Sequence, residues 1–301
     1  MRPTWLIQAV AMCWTAAAMP GTPSRAETVI DDRGRTVSVA PAAQRVVSLA
    51  PHATDFVMTL GAAERLVAVD PHSDSAGLSP RLTRIAAYPQ PDPERLLAAS
   101  PDLVLLWGEG LSAGMVDRLE QLGLRVFVSQ PDSLEAVADS LERLGRLLGT
   151  PDRGREAAIR FRERTDAVSR RYASLEKIPV FVQIWDLPLI TIGEHTVMAD
   201  AIRRCGVSNV AAGIAGSAPR LSSETVIKLR PALIVSTIRQ ANEARWRGLG
   251  VVGETSGAAR YLSFNDAAIE RPSPQILDAL EKLCALIDAY RPAREPAQPG
   301  R

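Results

Sequence analysis

Two stretches of this 301-residue chain share one sequence pattern. Residues 93–106 read PERLLAASPDLVLL, and residues 222–235 read SSETVIKLRPALIV. Aligned on Glu94 and Glu224, each stretch has a Glu, then two branched apolar residues, then a Pro and an apolar run. We call the sequence separation from Glu94 to Glu224 the repeat offset. The pattern is typical of a helix start that leads into a buried strand, so the repeat predicts two similar α/β units in one chain.

The sequence around both stretches supports an α/β fold. Residues 27–40, ETVIDDRGRTVSVA, alternate around an Asp-Arg-Gly turn and predict a short hairpin. Residues 45–70, RVVSLAPHATDFVMTLGAAERLVAVD, predict a strand, a helix that ends near Gly61 and a second buried strand. The pattern restarts with the predicted strand PVFVQIW at residues 179–185 and ends with a predicted helix at residues 273–290.

One long helix is predicted between the two blocks. Over residues 151–177 the apolar residues recur at steps of three and four, and the other faces carry Arg, Glu and Asp. A helix of about 25 residues is roughly 37 Å long, enough to cross a domain. An ordinary surface helix would show the same stripe, but this length and position favour a connecting element. We predict α/β lobes at residues 27–150 and 178–291, and a disordered tail at residues 292–301.

The N-terminal segment, residues 1–26, has the layout of a secretory signal peptide. Arg2 precedes an apolar run over residues 5–18, and a Ser-Arg-Ala sequence then ends at Ala26. The apolar run is too short to span a bilayer. We predict cleavage after Ala26 and a mature protein in the periplasm that is not embedded in the membrane.

Charge excludes one class of partner. Cleavage after Ala26 removes two Arg and no acidic residue, so the formal charge falls from +1 to −1. Nucleic-acid binding would require a basic stripe. We therefore predict no nucleic-acid partner.

Two cysteines remain in the predicted mature chain. In an oxidising compartment, Cys205 and Cys284 are most simply explained as a disulfide. The alternative is two unrelated buried thiols. A bridge would join the predicted helix at residues 199–205 to the C-terminal helix.

The motifs of common enzyme classes do not occur in the sequence. There is no phosphate-binding glycine loop, no Gly-x-Ser-x-Gly elbow and no nucleophile beside a base. We predict a protein that is not an enzyme, with an exported hydrolase as a distant alternative. His52, His72 and His195 are too scattered for a dedicated metal site, so no metal and no cofactor is predicted. His52 and His72 follow predicted strands, where α/β proteins bind ligands, but locally bonded loop histidines explain them equally.

Three aromatic residues stand where an α/β fold presents its ligand crevice. Tyr88 lies in a proline-rich loop, Trp107 ends the strand LVLLW and Trp185 ends the predicted strand VFVQIW. Core packing would explain any one of them. Together they indicate the walls of a shared cleft for a large, flat ligand.

Residues 45–70, residues 93–107 and residues 270–288 (ERPSPQILDALEKLCALID) resemble a known protein family. They are similar to the periplasmic binding proteins of ABC importers whose lobes are joined by a single helix. That group carries ferric siderophores, haem and cobalamin. The resemblance covers nearly all of the mature chain and implies two Rossmann-like lobes joined by one long helix, the class III fold, in a monomer.

Within the group, the chain looks most like the cobalamin-binding branch. That branch has a Trp at the position of Trp107, a Cys-Gly helix end paired with a cysteine in the last helix, and a second-lobe start similar to FVQIWDLPLITIG at residues 181–193. It departs from that branch at Ala218 and Arg220, where an aromatic residue is common, and at His72, where a tyrosine is common. Haem binders of the group place an axial tyrosine in the loop that holds Tyr88. The resemblance thus implies a corrinoid ligand, with haem or a ferric siderophore as alternatives.

The resemblance also implies functional residues. The predicted ligand-binding set is Tyr88, Trp107, Trp185, His72, His52, Asp266 and Arg271. The predicted partner is a permease dimer with its ATPase subunits, on which members of the group dock through one Glu per lobe. Glu94 and Glu224 match those positions, and a two-fold partner explains why the motif occurs twice. The alternative is that Glu simply favours the first turn of a helix.

Overall fold

Two parallel β-sheets and one antiparallel hairpin form the frame of the chain. The computed structural model describes residues 26–291, except residues 110, 113, 240, 241 and 256. The predicted signal peptide, apart from its last residue, and the predicted tail lie outside the described residues. The strands are β1 (Glu27–Ile30), β2 (Thr36–Val39), β3 (Val46–Ser48), β4 (Leu66–Val69), β5 (Thr83–Arg84), β6 (Leu103–Trp107), β7 (Val126–Ser129), β8 (Ile178–Gln183), β9 (Val207–Asn209), β10 (Leu233–Ser236) and β11 (Arg260–Ser263).

Helices cover both faces of each sheet. They are α1 (Pro51–Thr59), α2 (Pro93–Ala99), α3 (Met115–Gln121), α4 (Leu134–Leu147), α5 (Pro151–Tyr172), α6 (Val197–Arg203), α7 (Ser223–Leu229), α8 (Glu243–Gly248) and α9 (Ile276–Asp288). The first sheet has the order β5-β4-β3-β6-β7 and the second β11-β10-β8-β9, and all pairs in both are parallel. Because both faces are covered, the central strands are apolar runs.

The N-terminal hairpin is confirmed. β1 pairs with β2 in antiparallel register from Glu27 opposite Val39 to Ile30 opposite Thr36. The Asp31 side chain accepts hydrogen bonds from the turn N–H groups of Arg33 and Arg35, which closes the turn.

α5 is the long connecting helix. It begins with Pro151 and ends at Tyr172, five residues earlier than predicted, because the chain must turn before β8 pairs with β9. Its buried stripe includes Phe161, Thr165 and Val168, as the apolar spacing predicts. The chain therefore has two α/β lobes joined by a single long helix.

Contacts along α5 join it to the two lobes. Near its start, Gly154 packs against Gly145 of α4 so closely that a Cβ on Gly154 would lie 2.7 Å from a backbone oxygen of that helix. Farther along, Arg164 forms ion pairs of 2.7 and 3.0 Å with Asp278 and Glu281 of α9. One hydrophobic cluster runs from the first lobe along α5 into the second, and two smaller clusters lie on the other faces of the sheets.

The predicted disulfide is present. Cys205, just after α6, is bonded to Cys284 of α9, with their Cα atoms 4.8 Å apart and both residues buried. The bridge fastens the two helices on the side of the second sheet that faces α5.

The repeated sequence forms a repeated structure. α2 and α7 each have seven residues, and their N-cap residues Asp92 and Ser222 accept backbone N–H groups through their side chains. Each helix is followed by a non-glycine residue in the left-handed region, Ser100 (φ 47°, ψ 55°) after α2 and Arg230 (φ 47°, ψ 58°) after α7. All of these features, and the first residues of β6 and β10, are separated by the repeat offset.

Several short elements were not predicted from the sequence. They are β5, β9, β11 and α8, which have two to six residues each. Their hydrophobic pattern is too short to show a period, and β5, β9 and β11 are edge strands of their sheets. Within the described residues, no helix combines the length and the apolar character needed to cross a membrane.

Candidate functional site

A cleft of about 320 Å³ lies between the two lobes. Trp107 at the end of β6 and the loop after β7 form its first wall, and Ile184 after β8 and Glu270 form part of the second. These are the carboxyl ends of parallel strands, where open α/β sheets bind ligands. The volume is at the low end of the roughly 300–1,000 Å³ typical of ligand sites, so a large ligand would extend onto the surface around the cleft.

Trp107 presents its ring to the cleft, with 43 % of the residue exposed. The residues before it in β6 are buried, so the strand fixes the backbone and only its last side chain reaches the surface. A large aromatic surface at this position suits stacking against a flat ligand.

His52 lies behind Trp107 and not on the cleft surface. Its ring centroid is 6.2 Å from that of Trp107 in an edge-on arrangement, and its Nε2 lies 3.1 Å from the hydroxyl of Ser129. Burial lowers the pKa of His52 to about 4, and the positive charge of Arg271 acts in the same direction. The imidazole is therefore neutral near pH 7, and it supports the tryptophan from below.

Tyr88 and Trp185 are large aromatic residues that lie mostly in solvent. Tyr88 is 86 % exposed in the loop after β5, and a bond from the Ser112 hydroxyl to Gln90 ties that loop to the one after β6. Trp185 is 57 % exposed and lies two residues beyond the end of β8, not at its last residue as predicted. It pairs with Ile190 in an isolated bridge because the chain turns back there. Both rings stand at the carboxyl edges of their sheets with most of their apolar surface in solvent.

Arg271 joins the lobes. Its guanidinium donates two hydrogen bonds to the carboxylate of Asp74, at 2.7 and 3.1 Å, and lies 4.0 Å from the buried carboxylate of Asp55. The bond from Arg271 lowers the pKa of Asp74, and that same bond raises the pKa of Arg271. Burial raises the pKa of Asp55. A second contact across the cleft runs from the Ser217 hydroxyl to Glu109, at 2.7 Å.

Two other predicted ligand residues have partners within their own lobe. Asp266 caps the turn that follows β11 and accepts a bond of 3.0 Å from Lys282. Burial acts to raise the pKa of Asp266, but the bonds from Lys282 and the N–H of Ala268 outweigh it and lower that pKa. His72 is exposed, with its Nδ1 3.1 Å from a carboxylate oxygen of Asp70. Neither side chain is among those that line the cleft.

Several cleft residues were not part of the predicted ligand-binding set. His195, Met198 and Ala218 line the second wall, and Glu109 and Gln130 the first. His195 does not follow a strand of the sheet, so its position gave no indication of a ligand site. The sequence feature beside it is Thr196, whose side chain caps the start of α6 and which also lines the cleft.

Glu94 and Glu224 lie away from the cleft, each as the second residue of its helix. Both are exposed, with their helices anchored by the buried Leu96 and Val226 on the opposite side. The hydroxyl of Ser222 bonds to Glu224 and lowers its pKa. Two carboxylates thus stand in equivalent places on the two lobes, where the helix N-terminus favours their charge.

Comparison with known proteins identifies the family. A model of the family described as periplasmic binding protein matches residues 46–250, more than half of the chain. The chain is a periplasmic binding protein. Vitamin B12-binding proteins are among its relatives. The one from Vibrio vulnificus strain YJ016 is 32 % identical over 242 residues, which cover 80 % of this periplasmic binding protein and 89 % of that relative.

Solved structures agree with this assignment. The crystal structure of the periplasmic vitamin B12-binding protein BtuF of Vibrio cholerae matches with a TM-score of 0.72 and 29 % identity, over 82 % of this chain and 97 % of that one. A periplasmic heme-binding protein from Pseudomonas aeruginosa matches with a TM-score of 0.68 and 26 % identity, over 85 % and 95 %. The predicted class III fold is confirmed.

Proposed function

We propose that this periplasmic binding protein captures a corrinoid such as cobalamin between its lobes and delivers it to an ABC importer. The observation that carries the proposal is the cleft at the carboxyl edges of two parallel sheets, with the exposed ring of Trp107 as its wall. The vitamin B12-binding relatives, which match along most of the chain, support the choice of ligand.

Exposed aromatic residues at the carboxyl edges of both sheets suit a ligand larger than the cleft itself. Tyr88 in the first lobe and Trp185 in the second each leave more than half of their surface in solvent. A planar macrocycle that rests on Trp107 would cover such rings and gain contact area from both lobes. In this proposal Tyr88, Trp107 and Trp185 contact the ligand, and His52 holds the ring of Trp107 in place.

Arg271 and Asp266 have a different role in this proposal. Arg271 holds Asp74 across the lobes, so it sets the spacing of the cleft walls in the ligand-free chain. A polar group of the ligand can compete for the same guanidinium, which is half-buried and already oriented. Asp266 bonds Lys282 and acts on the ligand only through the position of the turn that follows it.

Docking on the importer is proposed to use Glu94 and Glu224. A permease dimer presents the same surface twice, and equivalent carboxylates on the two lobes meet both halves. Each carboxylate is exposed and can accept a bidentate arginine of the permease. The periplasmic relatives support a location in the periplasm, and cleavage of a signal peptide after Ala26 is part of the proposal.

Haem is a second candidate ligand. Tyr88 is the most exposed large hydrophobic residue of the described chain, and a tyrosine hydroxyl is one of the axial groups that hold haem iron. The heme-binding protein from Pseudomonas aeruginosa has the same fold and matches most of the chain.

Titration calorimetry with cyanocobalamin tests the proposed function. We expect one ligand per chain, weaker binding by about tenfold or more in Trp107→Ala, and a smaller loss in Trp107→Phe, which keeps an aromatic face. Absence of binding heat and of any spectral change in wild-type protein would refute corrinoid capture.

A further inference from the structure

An apolar side chain stands beside each of the two exposed carboxylates. Leu97 follows Glu94 by three residues on α2, and Ile227 follows Glu224 by three residues on α7. Residues three apart on a helix are neighbours on its surface, about 5–6 Å apart at Cβ. Leu97 and Ile227 are each 42 % exposed.

The match between the two helices extends beyond these pairs. From Asp92 to Ser100 and from Ser222 to Arg230, exposure agrees position by position except at Arg95, whose counterpart Thr225 is half-buried. One apolar residue per helix, Leu96 or Val226, is buried, and the next one is left in solvent. A helix that needed only to cover its sheet would not require the second.

Single exposed leucines are common on protein surfaces and need no explanation. The repeat offset distinguishes this pair. Among the exposed large apolar side chains of the described chain, Leu97 and Ile227 are the pair that the repeat offset relates. Leu122 and Leu249 are equally exposed, but the residues at that offset from them, Val252 and Leu119, are buried.

We propose that Leu97 and Ile227 are docking residues that insert into an apolar depression beside the arginine in each half of the permease dimer. The inference rests on the proposed function, because it uses the same two-fold partner as Glu94 and Glu224. The partner surface is defined by its chemistry: in each half, a cation that pairs with the carboxylate and, about one helical turn away, a pocket for a branched aliphatic side chain. The carboxylates supply charge complementarity, and the aliphatic side chains supply buried apolar contact.

Asymmetry around the carboxylates makes the apolar contact more important on the second lobe. Lys228, one turn from Glu224, is a cation of the chain itself and acts on that carboxylate. Its charge weakens the attraction between Glu224 and a cation of the partner. At the equivalent place, four residues beyond Glu94, the first lobe has Ala98.

The test measures docking and ligand binding on the same samples. The probe is the cobalamin importer of the host bacterium, with permease and ATPase purified together in lipid nanodiscs, and binding is followed by biolayer interferometry. Leu97→Ser and Ile227→Ser should each weaken docking by roughly tenfold, and Ile227→Ser at least as much as Leu97→Ser. Cyanocobalamin affinity should stay within twofold of wild type.

Leu286→Ser is the matched control. Leu286 is 43 % exposed, but its helix α9 packs on the opposite sheet face from α7 and belongs to the cluster around α5. This variant should leave docking unchanged. An equal loss of docking would overturn the inference, because it would show that a polar substitution elsewhere on the surface weakens docking just as much. Wild-type docking in Leu97→Ser and Ile227→Ser, with docking lost in Glu94→Ala, would overturn the inference and leave the proposed function standing.

Two further outcomes are decisive. Wild-type docking in Glu94→Ala, Glu224→Ala and both apolar variants would remove the proposed docking surface itself. Analytical ultracentrifugation of the free protein tests whether a second copy of this chain binds at the same surface. A dimer that Leu97→Ser and Ile227→Ser dissociate would assign the pair to self-association and overturn the inference.

Discussion

Protonation of His52, which packs beside Trp107 in the wall of the cleft, should make the folded protein less stable in acid. The folded chain holds the pKa of His52 at about 4 because the ring is buried, whereas the unfolded chain has the ordinary value of 6.5. Between these values the unfolded state binds a proton that the folded state does not, so acidification favours unfolding. Lowering the pH from 7 to 4.5 should therefore reduce the free energy of unfolding by about 2.5 kcal/mol through this residue alone.

Urea denaturation at pH 7 and pH 4.5 measures this contribution. Asp55 has the opposite effect on stability in acid. Its pKa is raised in the folded state, so at acidic pH the folded state binds a proton more readily than the unfolded state does. The contribution of His52 is therefore measured by comparing variants. In His52→Gln, the loss of stability between the two pH values should be about 2.5 kcal/mol smaller than in wild type. Ser129→Ala is the matched control: it removes the bond to the ring but leaves the imidazole buried, so the wild-type pH dependence should persist. An identical pH dependence in wild type and His52→Gln would refute the reasoning.

Three further predictions concern other parts of the fold. Arg271→Gln should change the free energy of unfolding by less than about 1 kcal/mol, because Asp74 is exposed. It should also speed amide hydrogen exchange in the loops on both sides of the cleft, and unchanged exchange would contradict the role of Arg271 between the lobes. Glu94→Lys and Glu224→Lys should each weaken docking on the importer more than the alanine variants do, since they set like charges together, and a pulldown in which lysine and alanine behave alike would count against paired arginines. Cys205→Ser should lower the free energy of unfolding by roughly 2–4 kcal/mol with cyanocobalamin affinity unchanged, and calorimetry that finds both properties lost together would show that the disulfide shapes the cleft.

The fold could be predicted from the sequence where periodicity and repetition were strong. The 22-residue helix α5 showed its buried stripe at steps of three and four, and the apolar runs of β3, β4 and β6 marked strands buried on both faces. The repeat offset between Glu94 and Glu224 predicted the two-lobe plan, and the structure extends it to the helix caps.

The cleft was less predictable because its residues come from loops that the sheets bring together. Trp107 was found because it ends a strand, but His195 lies in a long loop of the second lobe and meets the first lobe only in the folded chain. His52 was expected to bind the ligand since it follows a strand, yet it lies in α1 and is buried beside Trp107. Arg271 pairs with Asp74, a partner 197 residues away that no local pattern indicates.

Competitive equilibrium dialysis against equal concentrations of cyanocobalamin and hemin tests the central claim most directly. The account predicts that the protein retains one cobalamin per chain, that Tyr88→Phe does so as well, and that Trp107→Ala retains little. Retention of hemin in place of cobalamin, with a shifted Soret band that disappears in Tyr88→Phe, would contradict it and assign the cleft to haem.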